Sequence, residues 1–172
     1  MDILKTVGNL LPYHLLSYGA LLGTEVYQSF VNTKICYRAL PMREFIALNK
    51  RIFPVYFGCQ VGLAALTAAT RPPYSILSLA NDLWSAVPLG VVLVMGSLNW
   101  FVYGPCTTTA SLVRRALHDN KENLTDPDNA KVHRANRTFA INHAMSIHLN
   151  AIALVATVFY GFSLSSNILN GF

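Results

Sequence analysis

This sequence contains few charged residues. Asp, Glu, Lys and Arg together make up 12% of its 172 residues, whereas hydrophobic residues make up 53%. A soluble domain usually carries about 25% charged residues, which is roughly twice this share. Because so few charges do not suit the surface of a soluble fold, the composition indicates an integral membrane protein.

The signals of several protein classes are missing. Three cysteines, Cys36, Cys59 and Cys106, have no CxxC spacing, so we expect neither a disulfide framework nor a zinc site, and no cofactor. No P-loop, nucleophile elbow or dinucleotide-binding fingerprint occurs, which predicts a non-enzymatic protein. Basic residues are not interleaved with exposed aromatics, so nucleic acid is not an expected partner.

Four long apolar stretches fill most of the chain. About twenty mainly apolar residues cross a bilayer as a helix, and unpaired backbone is excluded from lipid. The sequence therefore predicts an all-α fold, a polytopic membrane protein that forms one four-transmembrane-helix bundle over residues 1–172. The predicted spans are Tyr13–Ile35, Phe53–Thr70, Leu83–Tyr103 and Phe139–Leu164.

Basic residues concentrate in two of the three predicted loops. They lie around the first loop, as Lys34, Arg38, Arg43, Lys50 and Arg51, and in the third, as Arg114, Arg115, Lys121, Lys131, Arg134 and Arg137. The positive-inside rule places both loops in the cytosol and both termini on the non-cytosolic side. Such charge also favours contact with anionic membrane lipids.

The third loop, residues 106–138, is the longest polar segment. We expect a helix over Thr107–Leu117 and then a flexible stretch from Asp119 to Arg137.

Two glycine pairs have the small-xxx-small spacing of packed membrane helices. Gly19 and Gly23 lie in the first span, and Gly58 and Gly62 lie in the second. Since glycine lets helix backbones approach closely, we expect these pairs to pack the first two helices together. Contact with other membrane proteins or a second copy in a homodimer is the alternative.

Glu25 is the most unusual residue of the first span. Gln28 follows three residues later on the same face. A charged carboxylate in lipid costs several kcal/mol, so this face must turn inward or the acid must be neutral. Two interpretations remain open: an ion, proton or ligand site, and an acid that ties helices together.

The fourth span carries a second polar face, formed by His143, Ser146 and Asn150. Gln60 and Asn99 add one polar side chain each from the other two spans, and we expect these two to hold helices together through hydrogen bonds. We expect these side chains and the Glu25 face to converge on a polar core in which Glu25 and His143 meet. A lone His143 without a paired His or Cys set does not predict a metal site.

Three patches resemble the transmembrane protein 205 family, whose shared domain has no known function. They are Arg38-x-Leu40-Pro41 with Phe45 and Phe53-Pro54-x-Tyr56-Phe57; Asn99 with Pro105-x-Thr107-Thr108; and His143-x-x-Ser146-x-x-x-Asn150. The resemblance covers residues 38 to 150 and implies a four-helix membrane fold without supplying a reaction or a cofactor.

The family-like motifs also suggest physical roles. Arg38 and Pro41 would fix the turn after the first helix, and Pro105 would kink the third helix. Thr107 and Thr108 would bond the carbonyls that this kink frees. Pro54 removes a backbone donor near the start of the second predicted span.

The expected function is support of membrane trafficking, transport or organisation of partners. A small transporter or channel subunit with an intramembrane polar site is one alternative. A haem- or metal-binding membrane protein centred on His143 is the other.

The orientation predicts an unused glycosylation site. Asn123-Leu124-Thr125 is a sequon in the third loop, and glycans are not added in the cytosol. Asn123 is therefore expected to carry no glycan in cells. A gel-mobility shift that an endoglycosidase removes would contradict the predicted orientation.

Overall fold

The structure, a computed structural model, describes residues 8–119 and 126–171 and contains no strand in those ranges. The first helical rod has three parts: α1 (Leu10–Val26), a π-helical segment (Tyr27–Asn32) and α2 (Thr33–Ala39). A second rod is the single helix α3 (Met42–Ala69). The third rod comprises α4 (Leu83–Leu98), another π-helical segment (Asn99–Tyr103) and α5 (Gly104–Asp119), and the fourth is α6 (Asp126–Asn170).

The rods form a bundle, which confirms the predicted all-α architecture. α1 packs on α3, α3 packs on α4, and both α4 and α5 pack on α6. A short 3₁₀ turn (Ser75–Leu79) lies in the connection between α3 and α4. Successive rods therefore run antiparallel, and the connections alternate between the two ends of the bundle.

Three helices of the described chain are long and apolar enough to cross a membrane. They cover Met42–Ala69, Leu83–Leu117 and Ala130–Asn170. The first rod is continuous from Leu10 to Ala39 but is less apolar, because polar residues such as Glu25 and Gln28 lie within it. Length and composition thus give a multi-pass membrane protein with three clear candidate spans.

The turn after the first rod follows the expected chemistry. Only Leu40 and Pro41 separate α2 from α3. Both are extended, with ψ near 142° at Leu40 and 149° at Pro41. Proline fixes its own φ and disfavours a helical residue before it, so the chain leaves one helix and starts the next here.

The fourth rod is longer than its predicted span. α6 has 45 residues and is about 68 Å long, more than twice the hydrocarbon thickness of a bilayer. The prediction of a flexible stretch is therefore wrong over residues 126–137, which are helical. Helix over Thr107–Leu117 is confirmed as part of α5. Residues 120–125, including Asn123, lie outside the described residues.

Small and aliphatic residues meet where the rods approach most closely. Two buried clusters run through the bundle: Leu21, Ala64, Val92 and Ala156, and Ala68, Leu89, Tyr160 and Leu164. Each cluster draws residues from several rods. Alanines at these positions allow the close helix contacts that hold membrane bundles together.

The glycine pairs do not pack the first two helices, so that prediction is wrong. Gly19, Gly23 and Gly62 are exposed, and a Cβ added at any of them would meet no atom within 4 Å. Gly58 instead faces the ring of Trp100, 3.2 Å from an added Cβ. The exposed glycines leave pairing with a second chain as an untested prediction.

Gly96 of α4, which sequence reasoning did not single out, lies where α4 packs closely on α3. It is buried, and a Cβ there would lie 3.0 Å from Val61 Cγ2 and 3.2 Å from Gln60 Oε1 on α3. Gly90, on the same helix, has no atom within 4 Å of an added Cβ. The α3–α4 contact therefore depends on Gly96 and not on Gly90.

The difference in packing between Gly96 and Gly90 gives a matched test. Gly96→Leu should destabilise the protein by about 1–3 kcal/mol, as overpacking does in cores, because the new side chain must displace Val61 and Gln60. Gly90→Leu should change stability little. Thermal unfolding of both variants in the same detergent measures the difference, and equal midpoints would show that Gly96 does not set the helix spacing.

Candidate functional site

A polar network, here called the polar clamp, closes the bundle at the end where α3 connects to α4. Its centre is Arg71, of which only 3% is exposed. Arg71 Nη2 pairs with Asp82 Oδ2 at 2.5 Å, and Nη1 donates to the Tyr160 hydroxyl at 3.3 Å. That hydroxyl lies 2.7 Å from His14 Nε2. The clamp thus joins α1 and α6 to the α3–α4 connection.

Asp82 accepts the hydrogen bonds of the clamp, and it also caps the N-terminus of α4. Its carboxylate accepts hydrogen bonds from the Ser85 hydroxyl at 2.7 Å and from Asn167 Nδ2 at 3.1 Å. Burial raises the pKa of Asp82, but hydrogen bonds from Ser85 and the Arg71 charge outweigh burial and lower the pKa below its ordinary value. The carboxylate is therefore held in its charged form.

Hydroxyl groups extend the clamp to α3. His14 Nδ1 lies 3.4 Å from Thr70 Oγ1, which is 3.3 Å from Ser17 Oγ. Thr67 Oγ1 donates to the same Ser17 oxygen at 3.1 Å. All four rods therefore contribute to one network. Sequence reasoning missed it, although Arg71 stood out as the only basic residue of its loop.

Glu25 sits in the middle of the bundle and pairs with Gln60. Both side chains are fully buried, and Gln60 Nε2 donates to Glu25 Oε1 at 2.7 Å. Glu25 Oε2 and Gln60 Oε1 are buried without a hydrogen-bond partner. This geometry ties α1 to α3, in line with the interpretation of Glu25 as an acid that holds helices together.

Asn150 forms a second bridge between rods. Its Oδ1 accepts from the Tyr56 hydroxyl at 2.6 Å, and its Nδ2 donates to Ser29 Oγ at 2.9 Å. Asn99 Nδ2 donates to the backbone oxygen of Ser146 at 3.1 Å. Interhelical amide bonds of this kind contribute about 1 kcal/mol each in membranes.

The predicted contact between Glu25 and His143 is wrong. Glu25 lies beside Thr157 of α6, which is fourteen residues, or about 21 Å of helix, beyond His143. His143 is exposed and stacks on Phe139 with 5.3 Å between ring centroids. The predicted polar core therefore divides into the buried pair of Glu25 and Gln60, the bond of Asn99 to Ser146, and a group that lines a cavity.

Two neighbouring chambers open between the first, second and fourth rods and α5. The outer chamber, toward the basic end, has a volume of about 450 Å³, and the inner chamber about 400 Å³. Six residues line both: Ser29, Thr33, Phe53, Thr107, Thr108 and His143. Gln28, Ser146 and Asn150 line the inner chamber alone.

The π-helical segments lie beside these chambers. In the first, Thr33 Oγ1 donates to the Gln28 carbonyl at 2.9 Å, five residues earlier. In the second, the Gly104 amide bonds the Asn99 carbonyl, and an added Cβ at Gly104 would collide with that oxygen. Glycine is therefore required for this wide turn, and such π segments often occur at functional sites.

The two family-like threonines reach the chambers. Thr107 and Thr108 line both of them, one turn of helix beyond the second π segment. Thr107 Oγ1 is buried without a hydrogen-bond partner. The prediction that it bonds a freed carbonyl is therefore wrong. The hydroxyl of Thr33, beside the first π segment, does donate to a backbone carbonyl, that of Gln28, which also accepts the Thr33 amide.

The other family-like positions lie outside the chambers. Arg38 is exposed in the last turn of α2, Pro54 lies inside α3, and Pro105 directly follows the wide turn at Gly104. Among residues 8–119 and 126–171, no three His, Cys, Asp or Glu side chains gather as a metal site would require.

A family described as a domain of unknown function, DUF4149, matches residues 16–116. These residues include most of the first rod, all of the second, the clamp's Arg71 and Asp82, and the second π segment. The chain belongs to this family. No solved structure matches it.

Two curated relatives differ in their distance from the chain. It is 64% identical to the xanthocillin biosynthesis cluster protein D of Aspergillus fumigatus over 169 residues, which cover 98% of this chain and 97% of the relative. It is 28% identical to transmembrane protein 205 of Danio rerio over 107 residues, covering 60% of this chain and 56% of the relative. The suspected resemblance to the transmembrane protein 205 family is thereby confirmed.

The clamp predicts an acid-sensitive stability. Asp82→Asn should cost about 3 kcal/mol at neutral pH, because it removes the carboxylate that pairs with the buried Arg71 at 2.5 Å. The ordinary pKa of Asp82 is 3.8 and the folded value is lower, so the stabilisation is complete above 3.8 and disappears as pH falls through the folded value. Thermal unfolding of wild type and variant from pH 7 to pH 3 tests this.

The control is Glu44→Gln, which removes an exposed carboxylate from the first turn of α3. It should shift the unfolding temperature little at any pH. A constant gap between wild type and Asp82→Asn across the range would show that the charge of Asp82 does not stabilise the clamp.

Proposed function

We propose that this protein is a four-span, non-enzymatic membrane protein that binds a small amphipathic molecule and supports its transport within a biosynthetic pathway. The observation that carries the proposal is the pair of chambers that opens toward the basic end of the bundle. Small-molecule sites are mostly apolar clefts of about 300–1,000 Å³ with a few placed polar groups. The outer chamber alone, at about 450 Å³, falls in that range.

The buried polar face of the first rod supports a fourth span. Glu25 is fully buried and Gln28 is 6% exposed, so both point into the bundle. The outward-facing residues of this rod are apolar and include Leu16, Phe30 and Ile35. A helix with this arrangement satisfies its polar groups internally and offers hydrocarbon to lipid.

The distribution of charge supports loading from the cytosol. By the positive-inside rule, the α2–α3 turn and the α5–α6 connection face the cytosol. Lys34 and Lys50 at the outer chamber lie near these connections. The clamp lies at the opposite, non-cytosolic end, where the first rod begins at Leu10 and α6 ends at Asn170. The bundle would thus accept its ligand from the cytosolic leaflet or the cytosol.

The similarity to a named fungal protein supports a role in specialised biosynthesis. The relative aligns with 98% of this chain at 64% identity, and its name assigns it to a xanthocillin biosynthesis cluster. We propose that this chain serves a pathway of the same kind. Xanthocillin or a precursor is then the candidate cargo.

Replacement of the relative tests the proposal. In Aspergillus fumigatus lacking the relative's gene, we expect the amount or the distribution of xanthocillin between cells and medium to change. This chain should restore the original pattern. Mass spectrometry of both fractions measures it. Conversion of a pathway intermediate by the purified chain would contradict a non-enzymatic role, and an unchanged xanthocillin pattern after deletion would contradict any role in the pathway.

Two adjacent threonines provide the matched control. Thr108 lines both chambers, whereas Thr109 is exposed and lines neither. Thr108→Phe should fill the cavity and fail to restore the pattern, while Thr109→Phe should succeed. Ser111→Phe, in the outer chamber, is a second filling variant in case Thr108→Phe does not accumulate. Full restoration by both filling variants would show that the cavity is not used.

A further inference from the structure

We propose that the chambers select an amphiphile with an anionic head group, which Lys34 and Lys50 bind at the mouth of the outer chamber. This inference rests on the proposed function, because it names the chemical class of the molecule that the cavity holds. The head group would be a carboxylate or a phosphate, and the apolar body would extend toward the inner chamber.

All charged side chains that line the two chambers are positive. Lys34 and Lys50 line the outer chamber, and none of the described residues that line either chamber is acidic. Arg114 adds a third cation nearby, since its guanidinium lies 4.4 Å from the centre of the Phe139 ring in the chamber wall. Low-dielectric walls of this sign focus positive potential and attract anions.

The two lysines are available to a ligand. Within residues 8–119 and 126–171, neither Lys34 nor Lys50 forms an ion pair or a hydrogen bond. By contrast, Arg71 and Asp82 neutralise each other at the opposite end of the bundle. Uncompensated cations therefore concentrate at the cavity mouth, where an anionic head group would neutralise them.

The interior of the cavity suits an apolar body. The surface of the outer chamber is mainly apolar, and six aromatic and aliphatic side chains contribute to it: Tyr37, Phe45, Ile46, Phe53, Leu112 and Phe139. The inner chamber adds Gln28, Ser146 and Asn150 to the lining. The side-chain amide of Asn150 is already bonded to Tyr56 and Ser29. A molecule with a charged end and an apolar body therefore matches the chambers better than a uniformly polar solute does.

Photolabelling in nanodiscs of phosphatidylcholine tests head-group selection. The probes are dodecanoate and dodecanol that carry the same diazirine in the chain. Dodecanoate should label peptides over residues 107–112 and 139–143 saturably, and dodecanol should not. Lys34→Gln/Lys50→Gln should raise the half-saturating concentration about 25-fold, about fivefold for each lysine.

The control removes the same charge elsewhere. Arg43→Gln/Lys131→Gln changes two exposed cations that do not line either chamber, and its half-saturating concentration should match that of wild type.

Competition between the photolabel and unlabelled anions identifies the natural source of the anion. Displacement by 4-hydroxycinnamate supports a soluble acid of a pathway, and displacement by phosphatidylserine in the nanodisc supports a lipid head group.

Equal labelling by the acid and the alcohol, or unchanged labelling of Lys34→Gln/Lys50→Gln, would overturn anion selection. In that case, restoration of the xanthocillin pattern by this chain would leave the proposed function standing with a neutral ligand. Absence of saturable labelling by either probe would also overturn anion selection. If the chain then failed to restore the pattern as well, the proposed function itself would be wrong.

Discussion

The ion pair between Arg71 and Asp82 is the interaction on which the packing of the rods depends. Arg71 is almost completely buried, and an uncompensated charge in such a position costs several kcal/mol. Asp82 supplies the opposite charge, and Tyr160 and His14 continue the network to α6 and α1. Because the network draws on every rod, it fixes the end of the bundle where α3 connects to α4.

The bundle changes character from this end to the other. The clamp is followed by the buried pair of Glu25 and Gln60, and then by the Tyr56–Asn150 bridge that borders the inner chamber. Beyond it, π segments widen the first and third rods and the chambers open. A bundle that is tied at one end and hollow at the other suits a protein that receives a ligand from one side of the membrane.

Hydropathy predicted the helices because lipid enforces helical backbone over long apolar runs. Polar contacts were less predictable. Three- and four-residue spacing correctly grouped His143 with Ser146 and Asn150, which line the inner chamber together. The predicted contact of Glu25 with His143 was wrong because Thr157 is the α6 residue beside Glu25, and this depends on how the helices pack. The clamp was missed because Arg71 and Asp82 lie in a connection whose fold depends on tertiary packing. The spacing of the glycines also gave a wrong prediction, because spacing alone does not show which side of a helix packs against a neighbour. Gly19 and Gly62 are exposed, whereas Gly96 is buried.

One-sided access to the chambers is the central claim, and side-specific cysteine labelling measures it most directly. Cysteines would be introduced at Ser111 in the outer chamber and at Ser85 in the clamp, after Cys36, Cys59 and Cys106 are replaced. A membrane-impermeant maleimide should modify position 111 only from the side of the basic connections and position 85 from neither side. Modification of position 111 from the clamp side, or rapid modification of position 85, would contradict a bundle closed at one end and open at the other.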